Sequence, residues 1–201
     1  MGQVGVTGAF EPAALVRRGL TAVPSPGLGD KLRRLGWRMV QGTLYRWSPA
    51  PLHGWRRMLL RLFGAKVGPG AHPYPDAQIW SPWTLTMGAR SCLGPASICY
   101  NVGLVELGED AIVSQYAYLC GATHDHRDPA FPLVIGPISI GAGAWVAADA
   151  FVGPGVRVGD GAVVGARAVL MRDAPAGMVL SGNPAQVTGA REVRDPARNG
   201  R

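Results

Sequence analysis

The run Gly121-Ala122-Thr123-His124-Asp125-His126-Arg127-Asp128-Pro129-Ala130-Phe131-Pro132-Leu133 puts two imidazoles and two carboxylates into one short polar stretch. An imidazole titrates near pH ~6.5, so close to neutrality it is mostly free base. Held beside an alcohol, it can take the hydroxyl proton as the oxygen attacks a carbonyl, an effect worth roughly 10²–10⁴ in rate. His124 is the candidate base. Asp125 or Asp128 can orient the ring or hold the loop, and Asp128 precedes Pro129 as a turn start does. His126 reads as loop surface. Cys120 is the one candidate nucleophile nearby, and direct transfer does not need it. His124 and His126 stand at i and i+2, with His53 and His72 far away in sequence. Without a well-placed third ligand, no metal is expected.

The stretch that must position this loop follows it. From Val134 an aliphatic residue recurs every sixth position: Ile140, Val146, Val152, Val158, Val164, Leu170. Four residues after each stands a second apolar residue, mostly small: Ile138, Ala144, Ala150, Val156, Ala162, Ala168, Ala174. A period of six excludes an α-helix, whose apolar face recurs every ~3.6 residues. Recurrent Gly, with Pro137 and Pro154, also argues against one. Short strands joined by turns fit, coiled into a three-sided prism whose turns cover one another. The large aliphatic should point inward, and Gly or Asn should supply positive φ at the turns. Before the loop the columns slip by two residues twice: Val67, Ile79, Leu85; then Met87, Leu93, Cys99, Val105; then Leu107, Val113, Leu119. Such slips imply insertions at corners or a bulged coil. The expected domains are a leader with basic helices over 1–66, the prism over 67–187 with the loop 121–133, and a charged tail over 188–201.

Gly 29 and Pro 17 in 201 residues would suggest disorder, but here the Gly is periodic. The net charge of +7 is uneven. Residues 1–66 carry 11 Lys and Arg against Glu11 and Asp30, whereas the remainder is slightly acidic. Cys92, Cys99 and Cys120 are odd in number and lack CxxC spacing, which argues against disulfides and zinc. They read as small interior hydrophobes in a reducing, cytoplasmic setting. No apolar run reaches the ~18–20 residues of a membrane span, and no signal peptide is visible. Asp30 is expected to cap a helix over Lys31–Trp47, and a second helix is expected over Leu52–Phe63. Both are basic and amphipathic. They suit a cap on the open end of the prism, and also a peripheral contact with anionic lipid or a phosphorylated, lipid-linked substrate. Nucleic-acid binding has no further support.

Gly121-Ala122-Thr123-His124-Asp125, Ile140-Gly-Ala-Gly-Ala-Trp145-Val146, Val152-Gly-Pro-Gly-Val156, Val158-Gly-Asp-Gly and Ser181-Gly-Asn-Pro-Ala185 together resemble the hexapeptide-repeat acyltransferases. The resemblance spans about residues 31–187 and is nearest to sugar O-acetyltransferases of the colanic-acid and maltose/galactoside type. It implies an all-β fold, a left-handed parallel β-helix with an N-terminal helical segment. It implies a homotrimer with acetyl-CoA as co-substrate in grooves between copies, and a sugar or glycan acceptor. His124 falls on the family's catalytic base. Asn101, Trp145 and Asp125 fall on the acceptor side. Ala148, Ala166, Met171 and Arg172 fall on the CoA side. Met171-Arg172 stands where Thr-Lys is usual, Gln186 where Arg is usual, and Gly189 at a basic position, with Arg191 two residues on. A non-catalytic trimeric scaffold or sugar-phosphate binder is the rival class; calorimetry with CoA separates the two.

Overall fold

The computed structural model describes residues 20–23 and 27–193. The rest of the expected leader and tail lies outside the described residues. Strands of two to four residues stack into three parallel sheets, one per face of a prism. The first face holds Lys66–Val67, Leu85–Met87, Val105–Leu107, Ile138–Ile140 and Arg157–Val158. The second holds His72–Pro73, Cys92–Leu93, Ile112–Val113, Trp145–Val146, Val163–Val164 and Met178–Ser181. The third holds Gln78–Ile79, Ile98–Tyr100, Tyr118–Cys120, Phe151–Val152 and Val169–Leu170. Consecutive strands visit the faces in turn, so each face pairs residues from successive turns. Ile140, Val146, Val152, Val158, Val164 and Leu170 are all buried. Each contributes about 1.5–3 kcal/mol relative to an exposed side chain.

The slips before the loop have a local cause. On the first face, three-residue strands bury both ends: Leu85 with Met87, Val105 with Leu107, Ile138 with Ile140. Val67 therefore pairs with Met87, twenty residues on, whereas Ile140 pairs with Val158, eighteen on. The additional residues enter after the third face, at one corner, and they stack on one another.

Glycine supplies the expected positive φ at Gly70, Gly143, Gly155, Gly161 and Gly177, while Arg90, Asp110, Tyr116, Asp149 and Arg167 adopt it at other turns. Glycines that follow the large aliphatic are required by close approach instead. A Cβ on Gly108 would lie 2.6 Å from the Ala142 nitrogen in the next turn. Two of the three cysteines are misread: Cys99 is interior, but Cys92 and Cys120 are half-buried. Strand alternation turns their neighbours Leu93 and Leu119 inward instead.

Helices α1 (Leu28–Val40) and α2 (His53–Leu62) lie at the first-turn end. The first begins two residues before Asp30, with Gly27 at the N-cap position and no side-chain cap; Asp30 instead pairs with Arg34 at 2.7 Å. A π-helical segment, Gln41–Tyr45, continues it. Trp37, Tyr45, Leu59 and Leu60 join the prism core, and Trp37 Nε1 donates to the Ile79 carbonyl at 2.7 Å. The helices therefore close the prism, which is the cap reading. Arg56, fully buried, fastens them. Its guanidinium donates to the carbonyls of Pro73 (2.7 Å), Pro49 (2.9 Å) and Ala50, and to Ser48 Oγ (2.8 Å). The guanidinium also lies 3.0 Å from His53 Nδ1. Burial, then the nearby Arg56 charge, holds the His53 imidazole below its ordinary value, against the pull of its Pro73 contact.

Strands reach into both the expected leader and the expected tail. Thr21–Ala22 pairs antiparallel with Leu133–Ile135. Gln186–Ala190 folds back on Met178–Ser181 and adds an antiparallel edge to the second face. Arg191 then donates to the carbonyls of Gly143 (2.8 Å) and Gly161 (3.0 Å). Those contacts tie its guanidinium to a corner of the stack.

Candidate active site

The polar loop leaves the prism at the widened corner, after the third-face strand Tyr118–Cys120. It is an antiparallel hairpin: Ala122–His124 against Leu133–Ile135, with His124 opposite Leu133. Thr21–Ala22 makes the third strand. The tip is built from Asx turns, the usual work of Asp in loops. Asp125 Oδ1 accepts from the Arg127 amide at 3.1 Å, and Asp128 Oδ1 from the Ala130 amide at 2.8 Å. Both carboxylates hold the loop.

His124 is exposed on this hairpin and gripped at two points. Its ring stacks on Phe131, with centroids 4.8 Å apart and planes within 11°. Its Nδ1 lies 2.8 Å from the Phe131 carbonyl oxygen. A carbonyl can only accept, so Nδ1 carries the hydrogen in the neutral ring. The lone pair of that neutral ring is then on Nε2. The ring is oriented by Phe131 rather than by Asp125, a role missed in the sequence. Only the aromatic seven residues after the histidine hinted at it.

At the base of the same corner, Asn101 is fully buried. Its Oδ1 accepts from the amides of Trp80 and Ser81, both at 3.1 Å. Its Nδ2 donates to the Ser81 carbonyl and to Thr84 Oγ1. The Thr84 hydroxyl in turn lies 2.6 Å from the Asn101 carbonyl. This side chain shapes the corner and presents no free donor or acceptor.

Met171 and Arg172 follow the last third-face strand, so they stand at the same corner, two turns beyond the hairpin. The Met171 sulfur covers Gly153, where an added Cβ would come within 2.7 Å of it. Arg172 is exposed. Ala148 and Ala166 stack at a different corner, between the second and third faces; the Ala148 carbonyl accepts from the Arg167 amide at 3.0 Å. Trp145 is on the second face, which lies opposite the hairpin corner. It is 42% exposed, and its Nε1 donates to Ser114 Oγ at 2.8 Å. One chain therefore brings His124, Asp125, Asn101, Met171 and Arg172 to one edge, but not Trp145, Ala148 or Ala166. Among the described residues no three His, Cys, Asp or Glu side chains gather as a metal site would need. The Cys99 thiol is pushed up to about 12 by burial. Cys120 Sγ faces the Ala122 carbonyl at 3.2 Å.

A three-sided coil with an imidazole on a corner hairpin defines a class, and comparison with known proteins agrees. The bacterial transferase hexapeptide (six repeats) family matches residues 137–172. WcaF of Escherichia coli (strain K12), provisionally named a colanic acid biosynthesis acetyltransferase, is 43% identical over 159 residues, covering 79% of this chain and 87% of that one. The chain therefore belongs to the hexapeptide-repeat acyltransferases, and its fold is their left-handed parallel β-helix. A galactoside acetyltransferase in complex with coenzyme A superposes with a TM-score of 0.77 at 20% identity, over 90% of each chain. A hexapeptide-repeat acetyltransferase from Vibrio cholerae, complexed with acetyl-CoA, gives 0.75 at 18% identity, over 85% of this chain and 93% of that one.

Proposed function

We propose that this protein moves an acetyl group from acetyl-CoA to a hydroxyl of a sugar or glycan, in the biosynthesis of a cell-surface polysaccharide. The observation that carries the proposal is the His124 ring, fixed by Phe131 with Nε2 as its free base. In a ternary complex Nε2 takes the proton of the acceptor hydroxyl as that oxygen attacks the thioester carbonyl. The C–S bond breaks, CoA leaves as a thiolate, and the imidazolium returns the proton to sulfur. Backbone N–H groups beside the carbonyl would stabilise the oxyanion. Kinship with WcaF supports the substrate class, and the relatives bound to CoA or acetyl-CoA support the donor.

The reading requires more than one copy. Trp145 on one face and the hairpin on the opposite edge can share a site only between molecules, and closed rotational symmetry is the common solution. A homotrimer places the hairpin of each copy against the second face of the next. Ala148 and Ala166, with small side chains, would let the pantetheine arm approach the backbone, and the exposed Arg172 would meet a phosphate. The test is release of free thiol from acetyl-CoA across a panel of sugars and nucleotide sugars. Acceptor-dependent release supports the transfer; calorimetry showing no CoA binding would make the protein a scaffold.

We place the enzyme in the cytoplasm, against the membrane. No helix of the described residues is long and apolar enough to cross a bilayer. Yet α1 exposes Leu28, Leu32, Leu35 and Met39, α2 exposes Trp55, Met58 and Leu62, and Leu44, Trp47 and Leu52 join the two rows. Lys31, Arg33, Arg38, Arg57 and Arg61 lie among them. An apolar row with a cationic border and two tryptophans suits the interface of an anionic bilayer. Flotation with anionic vesicles tests it. Co-flotation that Leu32→Asp with Leu35→Asp abolishes supports the contact, and protein left at the bottom contradicts it.

A further inference from the structure

A groove of about 760 Å³ runs between α1 and the third face, apart from the hairpin. Lys31, Arg34, Arg38 and Arg46 line one side, and Trp80 and Tyr100 lie on the other; among the described residues Asp76 is the only carboxylate in its walls. Arg34 is held by Asp30 at 2.7 Å and lies 5.6 Å from the Trp80 ring centre. Lys31, Arg38 and Arg46 have no ion-pair partner among the described residues. Trp80 and Tyr100 pack edge to face, 5.2 Å between centroids. Tyr100 pairs in register with Cys120, the last residue before the hairpin begins to leave the prism. The groove thus ends about one strand spacing, ~4.8 Å, from the root of the loop that carries His124.

Three unpaired cations in a concave site repel one another and favour an anion of matching charge. A single carboxylate would leave most of that charge uncompensated. A phosphate or diphosphate offers several oxygens in the geometry that guanidinium groups grip. The adjoining aromatic pair gives an apolar bed for a sugar ring. We infer that this groove binds the phosphate or diphosphate of a glycosyl phosphate, so that the acceptor is a phosphorylated rather than a free sugar. That identity as acceptor rests on the acetyl-transfer reading; binding of the anion does not. The same chemistry is offered by a soluble sugar phosphate and by one carried on a polyprenyl lipid.

The test is calorimetry on the full-length protein with inorganic pyrophosphate as probe and saturating CoA present, so that sites for CoA's own diphosphate are filled. Saturable binding is expected, weakening about tenfold or more in the R38Q/R46Q double variant, while CoA affinity stays the same. Both residues are exposed and have no ion-pair partner among the described residues, so the fold should survive. Pyrophosphate that fails to bind, or that binds R38Q/R46Q as tightly, overturns the inference; so does glucuronate binding more tightly than pyrophosphate. A second arm compares glucose 1-phosphate in solution with neutral vesicles carrying a polyprenyl phosphate. A response to either that is lost in R38Q/R46Q names the carrier, and a response to neither overturns the inference. Wild-type protein that binds pyrophosphate but not CoA would contradict the acetyl-transfer reading and leave the groove standing.

Discussion

At the scale of residues, the state of one ring decides whether the chemistry is available. The Phe131 carbonyl fixes the hydrogen on Nδ1 of His124, and the Phe131 ring restrains its rotation. An imidazole free to flip would present the wrong nitrogen much of the time. Asn101 works differently. Its amide satisfies the buried Ser81 N–H, and it shares the Trp80 N–H with the Cys99 carbonyl and the Ser81 carbonyl with Thr84; a buried group left unpaired costs about 1–3 kcal/mol. Asn101→Leu should therefore lose on the order of 3 kcal/mol, lowering Tm by roughly 10 °C at ~2–4 °C per kcal/mol for a chain of this size. Differential scanning calorimetry reads this. An unchanged Tm with a raised acceptor KM would make Asn101 a ligand instead. His124 was legible because it sits in the one interruption of a repeat. Phe131 was not, since its part depends on hairpin register, which composition does not encode.

At the scale of elements, the hairpin is the mobile-looking part that the fold nevertheless ties down. Thr21–Ala22 completes it as a three-stranded sheet, and the Val23 amide donates to the Leu133 carbonyl at 3.0 Å. Removing residues 1–26 should leave the prism and its capping helices folded, because Trp37 and Arg56 make their contacts downstream of the cut. It should release the hairpin's outer edge. Turnover is expected to fall several-fold with the circular dichroism spectrum kept, and steady-state assay of the truncated chain checks it. Full activity would show that the hairpin holds its own shape. The prism was readable because a six-residue period has few structural solutions. The outer strand was not readable, because a two-residue antiparallel pairing across more than a hundred residues leaves no local pattern. The slips in phase were visible, but their cause, strands burying both ends on one face, emerged only with the registers.

At the scale of the whole molecule, the prism separates the groups that the chemistry must unite. His124 stands on one edge, Trp145 on the opposite face, and Ala148 and Ala166 on another corner. On the proposed acetyl transfer, assembly closes the site, so sedimentation equilibrium should give three times 21.1 kDa. A stable, active monomer would contradict a shared site. Charge follows the same division: basic helices stand at one end of a slightly acidic coil, an asymmetry that would orient the proposed encounter with an anionic surface or acceptor. The proposed mechanism turns on a single proton transfer, and the direct measurement is thiol release from acetyl-CoA by purified His124→Ala beside wild type, on an acceptor that wild type acetylates. At least a hundredfold loss of kcat, with the trimer and CoA affinity unchanged, is the predicted result. Near-wild-type turnover by that variant would contradict it.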